Sequence, residues 1–221
     1  MSNPSDSTAA FIRANTKWLS PPLVPEITLL LAEESVPIWL KTEEQLGEMN
    51  VPPPYWAFAW AGGQALARYL LDTPERVRGK RVLDLGSGSG LTAIAAMKAG
   101  AKAVLASDID AFALTALQLN ALENAVNVDS TNADLLAAAP DAFDVILVGD
   151  LFYERQLAEK VLGFINAAAA GGAVVLIGDP QRNYFPKGRF ARVAHYQVPV
   201  TRELEDTEMK ATAVWLCQAT P

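Results

Sequence analysis

Three alternate glycines, Gly86, Gly88 and Gly90, end the run Val82-Leu83-Asp84-Leu85-Gly86-Ser87-Gly88-Ser89-Gly90. The run opens as a short apolar strand and leads directly into a helix-forming stretch. A strand that passes through a glycine turn into a helix is the opening unit of a parallel α/β sheet, and few other folds accommodate it. Such glycines leave bare backbone against which a bulky ligand can lie, where any Cβ would collide with it. The next apolar run closes on two acids, in Ala106-Ser107-Asp108-Ile109-Asp110. An acid about twenty residues beyond the turn is placed to accept both hydroxyls of a ribose.

The glycine spacing narrows the choice of ligand. A dinucleotide fingerprint, G-x-G-x-x-G, would need its third glycine at the position held by Leu91. A phosphate loop would need Gly-Lys-Ser/Thr after the glycines, and none follows. The pattern Asp84-x-Gly86-x-Gly88-x-Gly90 resembles motif I of the class I S-adenosylmethionine-dependent methyltransferases. That resemblance implies S-adenosylmethionine, which has no pyrophosphate to seat on a helix N-terminus and lays its methionine part across the turn. A glycine-rich turn without a ligand is the alternative, and the correctly spaced acids weigh against it.

From residue 81 onward apolar strands and helical runs alternate. Strands are expected at 82–85, 103–107, 126–131, 143–148 and 173–177, and helices at 91–99, 111–123 and 154–170. A last pair of strands, 198–202 and 211–216, is joined by too short a segment for a parallel crossover and is therefore antiparallel. The expected architecture is α/β, a seven-stranded Rossmann-like class I methyltransferase sheet with an antiparallel last strand. Upstream, 26–41 reads as two short strands around Ala32-Glu33-Glu34-Ser35, an N-terminal β-hairpin, and 56–71 as an amphipathic helix. The division expected is a flexible tail over 1–22 and a single methyltransferase domain over 23–221. That domain comprises an N-terminal extension, 23–75, and a catalytic core, 76–221.

No apolar run approaches the roughly eighteen residues of a membrane span. With one cysteine, Cys217, and one histidine, His195, the chain offers neither a disulfide framework nor a metal-ligand set, so no metal is expected. His195 is expected to be a surface or strand residue. The net charge is −7. The best basic cluster, Arg76-Val77-Arg78-Gly79-Lys80-Arg81, reads as a solvated loop before a strand, so neither nucleic acid nor membrane is an expected partner. A monomer is expected. The first twenty residues lack a signal-peptide core and an Arg-rich, acid-poor presequence, which favours the cytoplasm.

Ligands of open α/β sheets bind outside the carboxyl ends of the strands. Asp84 and the three glycines end the first strand of the core. Asp108 is the candidate for the ribose hydroxyls, with Ile109 beside it to pack on adenine, and Asp134 is the candidate for the adenine amino group. The fourth strand ends in Val148-Gly149-Asp150-Leu151-Phe152-Tyr153. Asp150-x-x-Tyr153 resembles the D-x-x-F/Y motif of methyltransferase family 16, most of whose members methylate protein lysines. Pro53-Pro54-Tyr55-Trp56-Ala57 and Trp60-Ala61-Gly62-Gly63-Gln64-Ala65-Leu66 resemble the electron-transfer flavoprotein β-subunit lysine methyltransferases. So do Arg68-Tyr69-Leu70-Leu71-Asp72, Ile177-Gly178-Asp179-Pro180 and Thr212-Ala213-Val214-Trp215.

This resemblance implies an S-adenosylmethionine-dependent protein-lysine N-methyltransferase whose protein partner is the electron-transfer flavoprotein β-subunit. Trp60 would then contact the methionine carboxylate region. Asp150 would sit beside both the methyl group and the incoming amine, Tyr153 would shape the lysine channel, and Trp215 would line the same opening. For each aromatic residue the plainer alternative is core packing. Two other readings share the fold: a ribosomal-protein or small-molecule N-methyltransferase, and a non-catalytic cofactor-binding module.

Overall fold

A computed structural model describes residues 4–33, 53–200, 205 and 207–217. The central sheet has seven strands: β3 (Arg81–Leu85), β4 (Ala103–Ser107), β5 (Asp129–Thr131), β6 (Val145–Gly149), β7 (Val174–Asp179), β8 (Ala191–Pro199) and β9 (Met209–Cys217). Their spatial order is β5-β4-β3-β6-β7-β9-β8, with β9 antiparallel to both of its neighbours and every other pair parallel. After β5 the chain crosses to the far side of β3, so the switch in strand order lies between β3 and β6. Ligand crevices form at such a switch point.

The inner strands read as apolar runs because both faces are covered. Val82, Val104, Val145, Leu147 and Leu176 pack under helices α2 (Ala61–Asp72) and α3 (Leu91–Lys98). Leu83, Ile146, Val148, Val175 and Ile177 point the other way, into a cluster with Val161, Phe164 and Ile165 of helix α5 (Arg155–Ala170). Helix α4 (Ala111–Glu123) begins at Asp110, whose side chain accepts from the Phe112 N–H at 2.8 Å and caps it.

The N-terminal region departs from expectation. Its first 22 residues read in sequence as a flexible tail, yet helix α1 (Pro4–Asn15) and strand β1 (Lys17–Leu19) occupy most of them. Ile12 is fully buried with Trp56, Ala113 and Ala116, and Phe11 meets Phe112 edge-on at 5.6 Å. An apolar stripe on α1 seats it on α4, a signal too short to stand out in sequence. The expected hairpin over 26–41 supplies one strand, β2 (Leu29–Leu31), but its partner is β1. Residues 34–41 of that expected hairpin lie outside the described residues. Asn120 of α4 and Asn124, the residue that ends it, bind the extension: Asn120 accepts from Leu30 N at 2.8 Å, and Asn124 donates to Thr28 O at 2.6 Å. Asn120 also donates to Ser89 O at 2.8 Å, which ties β2 to the glycine turn.

Candidate active site

The crevice opens at the carboxyl ends of β3 and β6. Gly86, Gly88 and Gly90 have φ of 67°, 50° and 82°, a region that side chains with a Cβ rarely enter. At Gly88 a Cβ would meet nothing closer than Trp56 Cα at 3.8 Å, so the turn presents open backbone to the crevice. Gly86 N and Ser87 N both donate to Ser107 O, at 2.8 and 3.0 Å, which fixes the turn against the end of β4. Asp84 lies under the turn and is fully buried. Its carboxylate accepts from Thr92 Oγ1 at 2.6 Å and Ala93 N at 3.0 Å, and burial pushes it up to about 7. Both of its oxygens face the start of α3, and Asp84 braces the turn without lining the crevice.

Asp108 follows β4 as the spacing predicts. Its Oδ2 accepts from Gly88 N at 2.8 Å and its Oδ1 from Asp110 N at 3.0 Å, while burial pushes the carboxyl upward. Each oxygen keeps a further acceptor position free, which is what a ribose diol requires. Ile109 is 77% exposed beside it, an apolar side chain with room for a flat ring. Asp134 is exposed and caps a short 3₁₀ turn by accepting from Leu136 N at 3.1 Å.

Tyr55, Phe58, Trp60, Gly63, Ser87, Thr92, Gly149 and Asp150 line the crevice between the turn and β6, together with the glycines Gly86 and Gly88. Asp150 is 7% exposed and has a φ of 58°, a strained backbone position of the kind that gathers at functional sites. Its Oδ2 accepts from Gly63 N at 2.9 Å, and its Oδ1 accepts from Arg182 Nε at 2.9 Å with Arg182 Nη2 at 2.7 Å. Burial pushes the Asp150 carboxyl up, while Arg182 acts to hold it down. Trp60 donates its indole N–H to Tyr55 O at 2.9 Å, so it meets the crevice with its ring and not with that donor. Tyr55 and Tyr153 lie 5.7 Å apart between ring centroids, each nearly half exposed, and form one aromatic wall at the mouth.

Residues 65–174 match the family described as ribosomal protein L11 methyltransferase (PrmA). The electron transfer flavoprotein beta subunit lysine methyltransferase of Danio rerio is 38% identical over 223 residues, 98% of this chain and 85% of that protein. The enzyme of the same name from Rattus norvegicus is 40% identical over 213 residues, 93% of this chain and 82% of that protein. This chain belongs to that lysine methyltransferase family. The magnesium protoporphyrin IX methyltransferase of Synechocystis PCC 6803 shares its fold. That crystal structure has a TM-score of 0.52 and is 18% identical, covering 71% of this chain and 78% of that one.

Within this lysine methyltransferase family member, the structure adds residues that sequence reasoning missed. Tyr55 lines the crevice beside Trp60. Arg182 lies 32 residues after Asp150 and bridges it to Glu205, through Nη1 to Oε2 at 3.1 Å and Nη2 to Oε1 at 2.6 Å. Asp179, fully buried at the end of β7, accepts from Arg182 N at 2.7 Å through Oδ1, and burial together with the nearby Asp150 charge pushes it up to about 7. No sequence periodicity brings these side chains together. Trp215 departs from its expected place. It packs 5.1 Å from the Phe185 ring, donates to Asp179 O at 3.2 Å, and lines neither the crevice nor the neighbouring cleft around Tyr153 and Arg182. Cys217 is buried, and His195 is exposed on β8, paired with Ala213.

Proposed function

We propose that this protein transfers the methyl group of S-adenosylmethionine to a lysine of the electron transfer flavoprotein beta subunit. The observation that carries this reading is Asp150. It is a buried carboxylate facing the glycine turn across Gly63, in a crevice walled by Tyr55, Phe58 and Trp60. Near-full-length identity to enzymes named for that activity supports the substrate.

The crevice suits the methyl donor. Ser87 Oγ is buried in the glycine turn with no hydrogen-bond partner among the described residues, so it is available to the amino-acid part of a ligand lying there. Gly88 leaves the backbone beside it bare. Asp108 would hold the ribose hydroxyls, Ile109 and Asp134 the adenine, and Trp60 would close over the methionine part with its ring. When bound, S-adenosylmethionine supplies an electrophilic methyl carbon that leaves its sulfur, with the bonding pair remaining on sulfur, as nitrogen attacks in line.

The acceptor amine must be neutral, yet a free lysine has a pKa of about 10.4. Desolvation against Tyr55, Trp60 and Tyr153 favours the neutral form, whereas a carboxylate alone favours the ammonium. Asp150 therefore orients the amine: among the described residues Oδ2 receives one hydrogen bond, from Gly63 N, and it keeps an acceptor position for an amine N–H. Holding nitrogen on line with the methyl carbon supplies most of the acceleration.

The test is methyl transfer from labelled S-adenosylmethionine to the purified beta subunit, with the modified residue located by mass spectrometry. Label on lysine is expected. Asp150→Asn should lower turnover by about a hundred-fold, the loss of one positioned charge-assisted contact and its geometry, while calorimetry finds the cofactor still bound. Label on another protein but not on this subunit removes the substrate assignment, and wild-type turnover in Asp150→Asn removes the role of Asp150.

A further inference from the structure

Asp150 is one of three carboxylates, with Asp179 and Glu205, gathered around a single guanidinium. Arg182 sits in the loop after β7, and Asp179 fixes its backbone by accepting its N–H at 2.7 Å. Its guanidinium spans two buried carboxylates, with Nε and Nη2 on Asp150 Oδ1 and with Nη1 and Nη2 on the two oxygens of Glu205. Glu205 is 5% exposed, and Lys210 of β9 stands behind it, 3.3 Å from its Oε2. The guanidinium carbon lies 5.5 Å from the centroid of the Trp60 ring, so the cation is stacked against the crevice wall as well as bound in the ion cluster.

The donors on Asp150 are divided unequally. Oδ1 is covered by Arg182, accepting from Nε at 2.9 Å with Nη2 standing 2.7 Å away, and among the described residues Oδ2 takes only Gly63 N. The oxygen that Arg182 leaves uncovered is Oδ2, beside Gly63 in the crevice wall, where it keeps an acceptor position. A carboxylate without the planar fork of a guanidinium could rotate and offer either oxygen. A buried carboxyl without a cation beside it would also take up a proton and become a donor, unable to accept from an amine.

We propose that Arg182, held by Glu205, is the positioning residue that keeps Asp150 an ionised acceptor with one oxygen directed at the incoming amine. This rests on the lysine-methyltransferase reading above and adds a residue to it. Arg182 touches neither acceptor nor donor in this scheme and acts through Asp150. Among the described residues, the charged groups facing Asp150 are Arg182, Asp179 and Glu205, with Lys210 behind Glu205. Their arrangement assigns opposite signs to two substitutions. Arg182→Gln removes the cation and leaves both neighbouring carboxylates, so Asp150 should hold its proton to higher pH. Glu205→Gln removes a competing anion and leaves Arg182 to Asp150, so Asp150 should lose its proton at lower pH.

The experiment follows the Asp150 carboxyl directly by infrared spectroscopy of enzyme carrying carboxyl-labelled aspartate, with the band identified by its loss in Asp150→Asn. Beside it, turnover on the beta subunit and cofactor affinity are measured for the wild type, Arg182→Gln, Arg182→Lys and Glu205→Gln. In Arg182→Gln the midpoint should rise by about one pH unit or more, and turnover at pH 7 should fall by about ten-fold or more with cofactor affinity little changed. Arg182→Lys restores the charge without the fork, so it should return the midpoint while recovering only part of the turnover. Glu205→Gln should lower the midpoint, and it keeps the test in force if Arg182→Gln does not fold. Equal midpoints in the wild type and both glutamine variants would overturn the proposal, as would equal turnover loss in Arg182→Gln and Arg182→Lys with no midpoint shift. If the midpoints move as stated but the wild type leaves the beta subunit unmodified, the substrate assignment alone fails.

Discussion

Gly62→Ala tests the contact on which the active site is assembled. Gly62 is the second residue of α2, and a Cβ there would collide with the carbonyl oxygen of Gly178 on β7 and stand 2.5 Å from Asp150 Oδ2. Gly178 answers it: a Cβ on Gly178 would strike Gly62 O. Helix and strand meet here backbone to backbone, so no flexible side chain is available to absorb an added methyl. Overpacking of this kind costs about 1–3 kcal/mol, and an obstacle made of strand backbone places it toward the upper end. Alanine recovers up to about 1 kcal/mol of helix preference, which leaves a net loss near 2 kcal/mol. For a chain of this length that corresponds to a fall in Tm of about 4–8 °C. Because α2 must retreat, Gly63 N also withdraws from Asp150 Oδ2, and turnover should fall further than stability does. Gly63→Ala is the control, since its Cβ would meet only Leu91 Cδ2 at 4.0 Å. Thermal unfolding followed by circular dichroism, and methyl transfer on the same preparations, separate the two variants. A Gly62→Ala protein with wild-type Tm and turnover, or a Gly63→Ala protein that loses more stability than it, would refute the reasoning.

Asp108→Ala should weaken S-adenosylmethionine binding by about 10- to 100-fold, the loss of a charge-assisted contact to two hydroxyls. Calorimetric titration reads it, and an unchanged affinity would remove Asp108 from the cofactor site. Asp179→Asn should change how stability depends on pH. The folded protein holds the Asp179 proton up to about 7, whereas the unfolded chain sheds it near about 3.9, so this group's contribution is intact below that lower value and is lost as pH rises between the two. The substituted asparagine copies the protonated form of Asp179 while keeping an oxygen for Arg182 N. The variant's Tm should therefore fall less than the wild type's between about pH 5 and about pH 8. Parallel Tm curves for the two proteins would exclude that assignment.

Much of the fold was legible in sequence because the inner strands are buried on both faces. Ala103–Ser107 and Ala111–Glu123 lie where periodicity and the Asp110 cap predict them. The edge was not legible. Sequence places the penultimate strand of the chain at 198–202, but Ala191–Pro199 carries it, with Arg192, His195 and Gln197 exposed on one side and a register shift between Arg192 and Ala194. An edge strand has fewer apolar residues to mark its period, and a bulge breaks what alternation remains. The site divides similarly. Gly86, Asp108 and Asp150 follow strands directly, so local sequence locates them. Arg182 and Glu205 meet Asp150 only because β7 lies next to β6 and because Glu205, shortly before β9, comes back over that end of the sheet. Nothing local encodes that meeting.

The upstream extension is then part of the candidate site and not an attachment to it. β3 and its glycine turn supply the surface for a methyl donor, but they contribute nothing that would select a lysine. Tyr55, Phe58 and Trp60 supply the walls, and Gly63 N fixes one oxygen of Asp150; all four precede β3 in the chain. Their placement depends on two close contacts, Gly62 against Gly178 and Ala32 N on Ala57 O at 2.8 Å, the second of which binds the 3₁₀ turn Tyr55–Ala57 to the end of β2. The crevice walls and the sheet therefore share one interface. Substitutions at Gly62 or Gly178 should impair lysine transfer before they abolish cofactor binding, because the donor surface is braced separately by Asp84 on Thr92 and Ala93.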